Sequence, residues 1–276
     1  MVSDFSHVPD RDPDRDPDPD PDRDAAVDEH ADFASFVRRA RADPAVLGLV
    51  LSGSRARESM PTVHSDYDVY VVIDDDRPEA AERLDALRDT RLDVGAIPLA
   101  RFRTRGLPGD PASWDRYAFV HCRILFDRDG RTVTGLVRRK AVLDPDEARE
   151  LTDGSLDAWL NSYYRAMKSH RDGRPEPAHL DAADGVPYLL TALFALHGRV
   201  RPYNKYLRWE LERFPLGAAH WEADRLLPRL RRLLAEGDAR TLRDVFADLD
   251  RTARAAGHGG IIDSWADHLA QIDPSP

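Results

Sequence analysis

Two aspartates separated by one tyrosine open an apolar strand in SDYDVYVVID, residues 65–74. This feature limits the available folds more than any other in the chain. An unpaired carboxylate in a buried strand shifts its pKa or destabilises the fold, so something must compensate it. Residues two apart on a strand share a face, which sends Asp66 and Asp68 to one side and Tyr67 and Val69 to the other. Two carboxylates this close repel unless a cation sits between them. A hard divalent ion such as Mg²⁺ accepts carboxylate oxygens and keeps water and phosphate as its remaining ligands.

The residues around this pair extend the same chemistry. Upstream, the apolar run AVLGLVL ends at Gly53-Ser54. Glycine lets a backbone approach a ligand closely, and the amides after it, with a serine hydroxyl, suit phosphate oxygens. Downstream, Asp93 stands in LDV between apolar residues of another expected strand. A carboxylate is an odd choice for a buried position there unless it completes the same acidic cluster.

The pattern along the chain supplies the frame. Helical spacing of Phe33, Phe36, Val37 and Ala40 is followed by a strand ending at Ser52-Gly53, the Asp66–Asp68 strand, a helix over RPEAAERLDALRDT, the Asp93 strand and a fourth strand over YAFVHCRILFDRDG. That order predicts an α/β or α+β sheet domain over residues 27–140. From 141 to 276 the periodicity is helical throughout and predicts an all-α bundle packed on the first half. Within it, DPDEARELTDG and SLDAWLNSYYRAMKSHRDG read as two helices, and Pro228 as a kink or break in a later one. Residues 9–24 alternate Asp with Pro or Arg, which removes donors, repels and offers little to bury; residues 1–26 are expected to be a disordered acidic tail.

Charge narrows the partners. Residues 1–30 hold eleven acids against three arginines, a net of −8 out of −10 for the whole chain. The remainder is nearly neutral, which speaks against nucleic acid as the main partner. Cys122 is the only cysteine, excluding an intramolecular disulfide and a multi-cysteine zinc site. The apolar runs fall short of the roughly 18 residues of a spanning helix, and no basic start leads into an apolar core, so the expected setting is soluble and cytoplasmic, without a membrane partner.

Taken in order, Gly53, Ser54, Asp66, Asp68 and Asp93 resemble the DNA polymerase β superfamily of nucleotidyltransferases. The longer string GSRARESMPTVHSDYDVYVV, with LLTALFALHGRVRPYNKYLRWEL in the second half, is similar to the kanamycin and aminoglycoside nucleotidyltransferase group, with Glu58 where glycine is common. The resemblance covers roughly residues 30–215. It implies a nucleotidyltransferase sheet domain in which Asp66, Asp68 and Asp93 hold two Mg²⁺ ions about 3.5–4 Å apart. It further implies that Ser54, Arg57 and Lys205 hold the triphosphate of ATP, the second substrate being a small-molecule hydroxyl, for which the resemblance suggests an aminoglycoside-type antibiotic. Asp93 is the expected proton acceptor. A protein or RNA acceptor, or a non-catalytic nucleotide-binding regulatory or toxin–antitoxin-like protein, stand as the alternatives.

Other residues read more plainly. Arg55 reaches phosphate or caps its turn, His64 is a structural loop histidine, and Asp74, Asp75 and Asp76 form a solvated loop with helix caps. His121 and Cys122 are expected in the fourth strand, and Tyr203, Asn204 and Tyr206 beside Lys205 either line a pocket or pack. Asp181 and Asp184 either cap a helix or face a cationic acceptor.

Overall fold

The computed structural model describes residues 21–272, with side chains from residue 32. The acidic tail expected over 1–26 therefore lies outside the described residues as far as residue 20, and from Pro21 the chain is already helical. The elements are α1 (Pro21–Ala42), β1 (Val46–Leu51), β2 (Tyr67–Ile73), α2 (Glu79–Asp85), β3 (Leu92–Pro98), α3 (Leu99–Thr104), β4 (Arg123–Asp127) and α4 (Thr132–Ala141), then α5 (Pro145–Arg171), α6 (Ala178–Ala195), α7 (Leu207–Arg213), α8 (Ala223–Glu236), α9 (Ala239–Ala255), α10 (Gly259–Ser264) and α11 (Ala266–Ile272). This is the α+β sheet followed by helices that the periodicity predicts.

The sheet runs β3-β2-β1-β4. Strand β1 is antiparallel to both β2 and β4, whereas β2 and β3 are parallel with Asp68 beside Asp93. Alternation along the strands splits the core. Leu49, Leu51, Val69, Val71, Ile73 and Val94 pack against Phe36 and Ala40 of α1 and Ala80 and Leu84 of α2. Val50, Val72 and Ile97 face the other way, onto Phe102, Phe119, Val133 and Val137.

Two expectations are corrected. The fourth strand begins only at Arg123, because Ser113–Phe119 winds into a 3-10 helix whose residues Asp115 to Phe119 are all buried. Arg57 takes the carbonyls of Tyr117 and Val120, which a strand would offer to a neighbouring strand, and His121 takes a left-handed backbone with φ 58°. The break expected at Gly154 is also absent: α5 runs continuously through it, and packing of the buried Thr152, Ser155 and Leu156 on either side holds the helix there. Its start is as read, with Asp144 accepting from Glu147 N and Pro145 in the first turn. α8 runs on through Pro228 with Leu226, Leu230 and Leu233 on one buried stripe.

The helices enclose a third core around Trp159, Leu160, Leu189, Leu193, Trp221 and Leu249. Polar side chains join it to the sheet region. Glu210 on α7 accepts from Tyr117 Oη at 2.6 Å, lies 3.0 Å from His121 Nε2 and pairs with Arg199. Burial by itself would push this carboxyl up. The hydrogen bonds from His121, Tyr117 and Arg199 outweigh that and hold it at about 2.

Candidate active site

Strand β1 ends in a turn built around one glycine. Ser52 N donates to Asp68 O at 2.8 Å, so the chain leaves β1 alongside the start of β2. Gly53 follows with φ 64° and ψ −159°, a combination almost confined to glycine. A Cβ at this position would lie 1.7 Å from Asp68 Oδ2. The missing side chain is thus what lets the turn sit against the carboxylate.

The residues after Gly53 brace the turn. Ser54 is buried and its Oγ donates to Ser65 Oγ at 2.9 Å, while Ser65 Oγ also accepts from Thr62 N. Arg55 stacks over Tyr67 at 4.2 Å and donates to Ser65 O at 2.8 Å. Arg57, 2% exposed, donates to Gly53 O at 2.6 Å, Val120 O at 2.8 Å and Tyr117 O at 3.2 Å, with its guanidinium between the rings of Tyr117 and Tyr206. It is a strut behind the turn whose charge is felt at Asp68.

In front of the turn lies a cavity of about 470 Å³, bordered by Gly53, Asp66, Asp68, Asp93, Arg57 and Lys205 among others. Six of the seven residues singled out from the sequence therefore meet at one cavity; Ser54, the seventh, is buried and does not border it. Asp68 shows the electrostatic consequence. Burial, reinforced by repulsion from Asp66 and Asp93, raises its carboxyl to about 6, against the opposing pull of Lys205 and Arg57.

Asp93 differs from expectation. It is half exposed, because β3 is the edge strand, and Arg88 Nε lies 2.8 Å from its Oδ1. The same guanidinium donates to Val94 O. Among the described residues, no three His, Cys, Asp or Glu side chains are gathered closely enough to hold a metal ion as they stand. The donors nevertheless suit a hard cation. All three are carboxylates on one cavity, no histidine or cysteine borders it, and Asp68 is held there with its negative charge uncompensated.

Several bordering residues escape sequence reasoning. Asp115, in the 3-10 helix and just ahead of the stretch read as strand, accepts from Tyr70 Oη at 2.5 Å, Arg105 Nε at 2.7 Å and Tyr203 Oη at 3.3 Å. Tyr70 could have been found, since it lies two residues beyond Asp68 and shares its strand face. Arg88 and Arg105 carry no local signal. Of the plainly read residues, His64 is exposed, Asp75 caps α3 through Ala100 N at 2.8 Å, and Asp181 and Asp184 both pair with Arg165.

A second cavity, of about 930 Å³, adjoins the first, with Trp114 and Tyr203 bordering both.

No family model and no curated protein matches the chain. It is similar to the crystal structure of a nucleotidyltransferase-like protein from Exiguobacterium sibiricum 255-15, at 15% identity over 88% of this chain and 79% of that one, with a TM-score of 0.41. Among the described residues, no helix is long and apolar enough to cross a membrane.

Proposed function

We propose that this chain is a Mg²⁺-dependent nucleotidyltransferase that moves a nucleoside monophosphate, AMP from ATP, to a hydroxyl of a small molecule. The observation that carries the reading is the Asp68 carboxyl: parallel to Asp93 across the strand pair, near Asp66, under a glycine turn, and left short of positive charge.

Asp66, Asp68 and Asp93 would hold the metal, which when bound neutralises phosphate charge and acidifies the acceptor hydroxyl. Gly53 keeps the turn against Asp68, so that phosphate oxygens approach backbone without a side chain in the way. Lys205, exposed on the cavity border, supplies a mobile cation for the triphosphate. Arg57 adds positive charge from behind without leaving its carbonyl partners. Asp93 must release Arg88 to serve, and the freed guanidinium is then available to the nucleotide. In the transfer the acceptor oxygen forms a bond to the α-phosphorus, the bond from that phosphorus to the bridging oxygen breaks, pyrophosphate leaves with the electron pair, and Asp93 takes the acceptor's proton. Most of the acceleration comes from positioning and charge neutralisation.

The test is thermal unfolding with Mg²⁺ and ATP, on wild type and on Asp66→Asn/Asp68→Asn. Ligand at about 100-fold excess over its Kd stabilises a binder by about 2.7 kcal/mol. Wild type should shift and the double variant should not. Equal shifts in both would remove the aspartates from the site.

A further inference from the structure

We infer that the 930 Å³ chamber beside the nucleotide cavity takes an aromatic, hydroxyl-bearing small molecule of little or no net charge, rather than the polycationic aminoglycoside that the sequence resemblance suggests. That this ligand is the acceptor rests on the nucleotide reading of the neighbouring cavity. Its chemistry rests on the chamber alone.

Three observations converge. The first is apolar exposure. Of nine large hydrophobic side chains left exposed among the described residues, three border this chamber: Trp114 at 71%, Tyr188 at 44% and Leu151 at 37%. Scattered single exposures need no explanation, but three around one concavity of drug-ligand size mark a surface waiting to be covered. Two of the three are aromatic, and Tyr203 adds a further ring at the border.

The second is charge. The ionisable side chains at the border other than tyrosines are Arg116, Glu147, Glu150 and Arg201, which sum to zero. Arg116 and Glu147 pair with each other, and Arg116 also donates to Lys140 O and Val142 O. Arg201 donates to Pro187 O and Asn204 Oδ1. Glu150 alone is exposed and without a partner among the described residues. One free carboxylate can accept a hydroxyl or a single cation. It cannot neutralise an acceptor carrying several ammonium groups, which needs an excess of acids. Asp181 and Asp184 do not provide that excess, since they border neither cavity and pair with Arg165.

The third is continuity. Trp114 and Tyr203 border both cavities, and Tyr203 Oη donates to Asp115, which borders the nucleotide cavity. A ring system seated in the chamber can therefore pass its hydroxyl along this shared wall toward the carboxylates.

The experiment is calorimetric titration of the full chain with 7-hydroxycoumarin, 2-naphthol and kanamycin, each without nucleotide, on wild type, Tyr188→Ala, Leu151→Ala and Glu150→Gln. All three substituted side chains are exposed, and a melting curve checks that each variant folds. The aromatic probes should bind wild type, and Tyr188→Ala and Leu151→Ala should each weaken them by about tenfold. Kanamycin should give no saturable heat. The inference is overturned if neither aromatic probe binds, if they bind both apolar variants as they bind wild type, or if kanamycin binds and Glu150→Gln abolishes it. MgATP titrated in parallel reads the first cavity. Aromatic binding without MgATP binding would leave the chamber's ligand class standing and strike the acceptor role along with the proposed activity.

Discussion

Replacing Gly53 by alanine tests the link between backbone and chemistry more directly than removing a carboxylate does. Two costs follow from the structure. The first belongs to the chain alone: φ 64° with ψ −159° is strained for any residue with a Cβ, by about 1–3 kcal/mol. The second is steric and falls on Asp68. The new methyl carbon would stand 1.7 Å from Oδ2 and 2.7 Å from Cγ, but 3.2 Å from Asp68 Cβ. The carboxylate must swing away, whereas the strand beneath it needs to give only slightly. Gly53→Ala should therefore remain folded, lose about 1.5–5 kcal/mol in urea unfolding as the two costs add, and lose the stabilisation by Mg²⁺ and ATP entirely. A double-mutant cycle separates the two costs. In an Asp68→Ala background the carboxylate is gone, so the alanine at 53 should cost only its backbone strain, giving a coupling of about 0.5–2 kcal/mol. If Gly53→Ala costs less than about 0.5 kcal/mol and still responds fully to Mg²⁺ and ATP, the turn is not what holds Asp68 in place.

Three further outcomes follow. In EDTA, a carboxyl raised from 3.8 to about 6 binds its proton more tightly folded than unfolded, so its contribution lowers stability as pH rises from about 4 to 6 and the full penalty remains above that. Discounted for its partial exposure, the penalty is on the order of 1–2 kcal/mol. Asp68→Asn should thus gain that much over wild type between pH 4 and 7, and a pH-independent difference would refute the assignment. Glu210 has the opposite sign: its carboxyl is held at about 2, below its ordinary 4.5, so its contribution is present above about 4.5 and is lost as pH falls toward 2. Glu210→Gln should cost about 2–3 kcal/mol in urea unfolding at pH 7, because the Arg199 and His121 side chains lose a charged acceptor. Finally, Arg88→Gln removes the guanidinium paired with Asp93 and should tighten Mg²⁺ binding without nucleotide by about two- to fivefold, as befits an exposed pair; unchanged affinity in calorimetry would mean that Arg88 does not compete for that carboxylate.

How far each feature could be read depended on the sequence distance over which it is encoded. The glycine turn, the Asp66–Asp68 spacing and the amphipathic stripes of α8 and α9 are local, and their periods are visible in windows of ten residues or so. Tyr117, Ala118 and Phe119 misled for the same reason. They have strand-like composition, but Arg57 reaches in from sixty residues away to take the carbonyls of Tyr117 and Val120, and the segment coils around it. Nothing near Asp93 shows that β3 is an edge strand or that Arg88 folds back onto it. The border of the second cavity is drawn from four separate stretches between residues 106 and 204, so no window contains it.

The buried and half-buried carboxylates distinguish scaffold from site. Glu210 and Asp110 are deeply buried side chains among the described residues, yet each is surrounded by donors: Tyr117, His121 and Arg199 for one, and Arg101 with the amides of Gly106 and Ala112 for the other. Their carboxyls are held below the ordinary range, which is the signature of a charge the fold itself satisfies. Asp68 is less buried than either, and among the described carboxyls with a clear displacement it alone is displaced upward. Burial is the larger cause, and an amide in place of Asp66 would relieve part of the repulsion that reinforces it. Instead the parallel pairing of β2 and β3 sets Asp93 directly beside Asp68, and the glycine turn sits against Asp68. Under the proposed function, the balance of charge would fall to a cation from solution, and binding energy would become available for chemistry there.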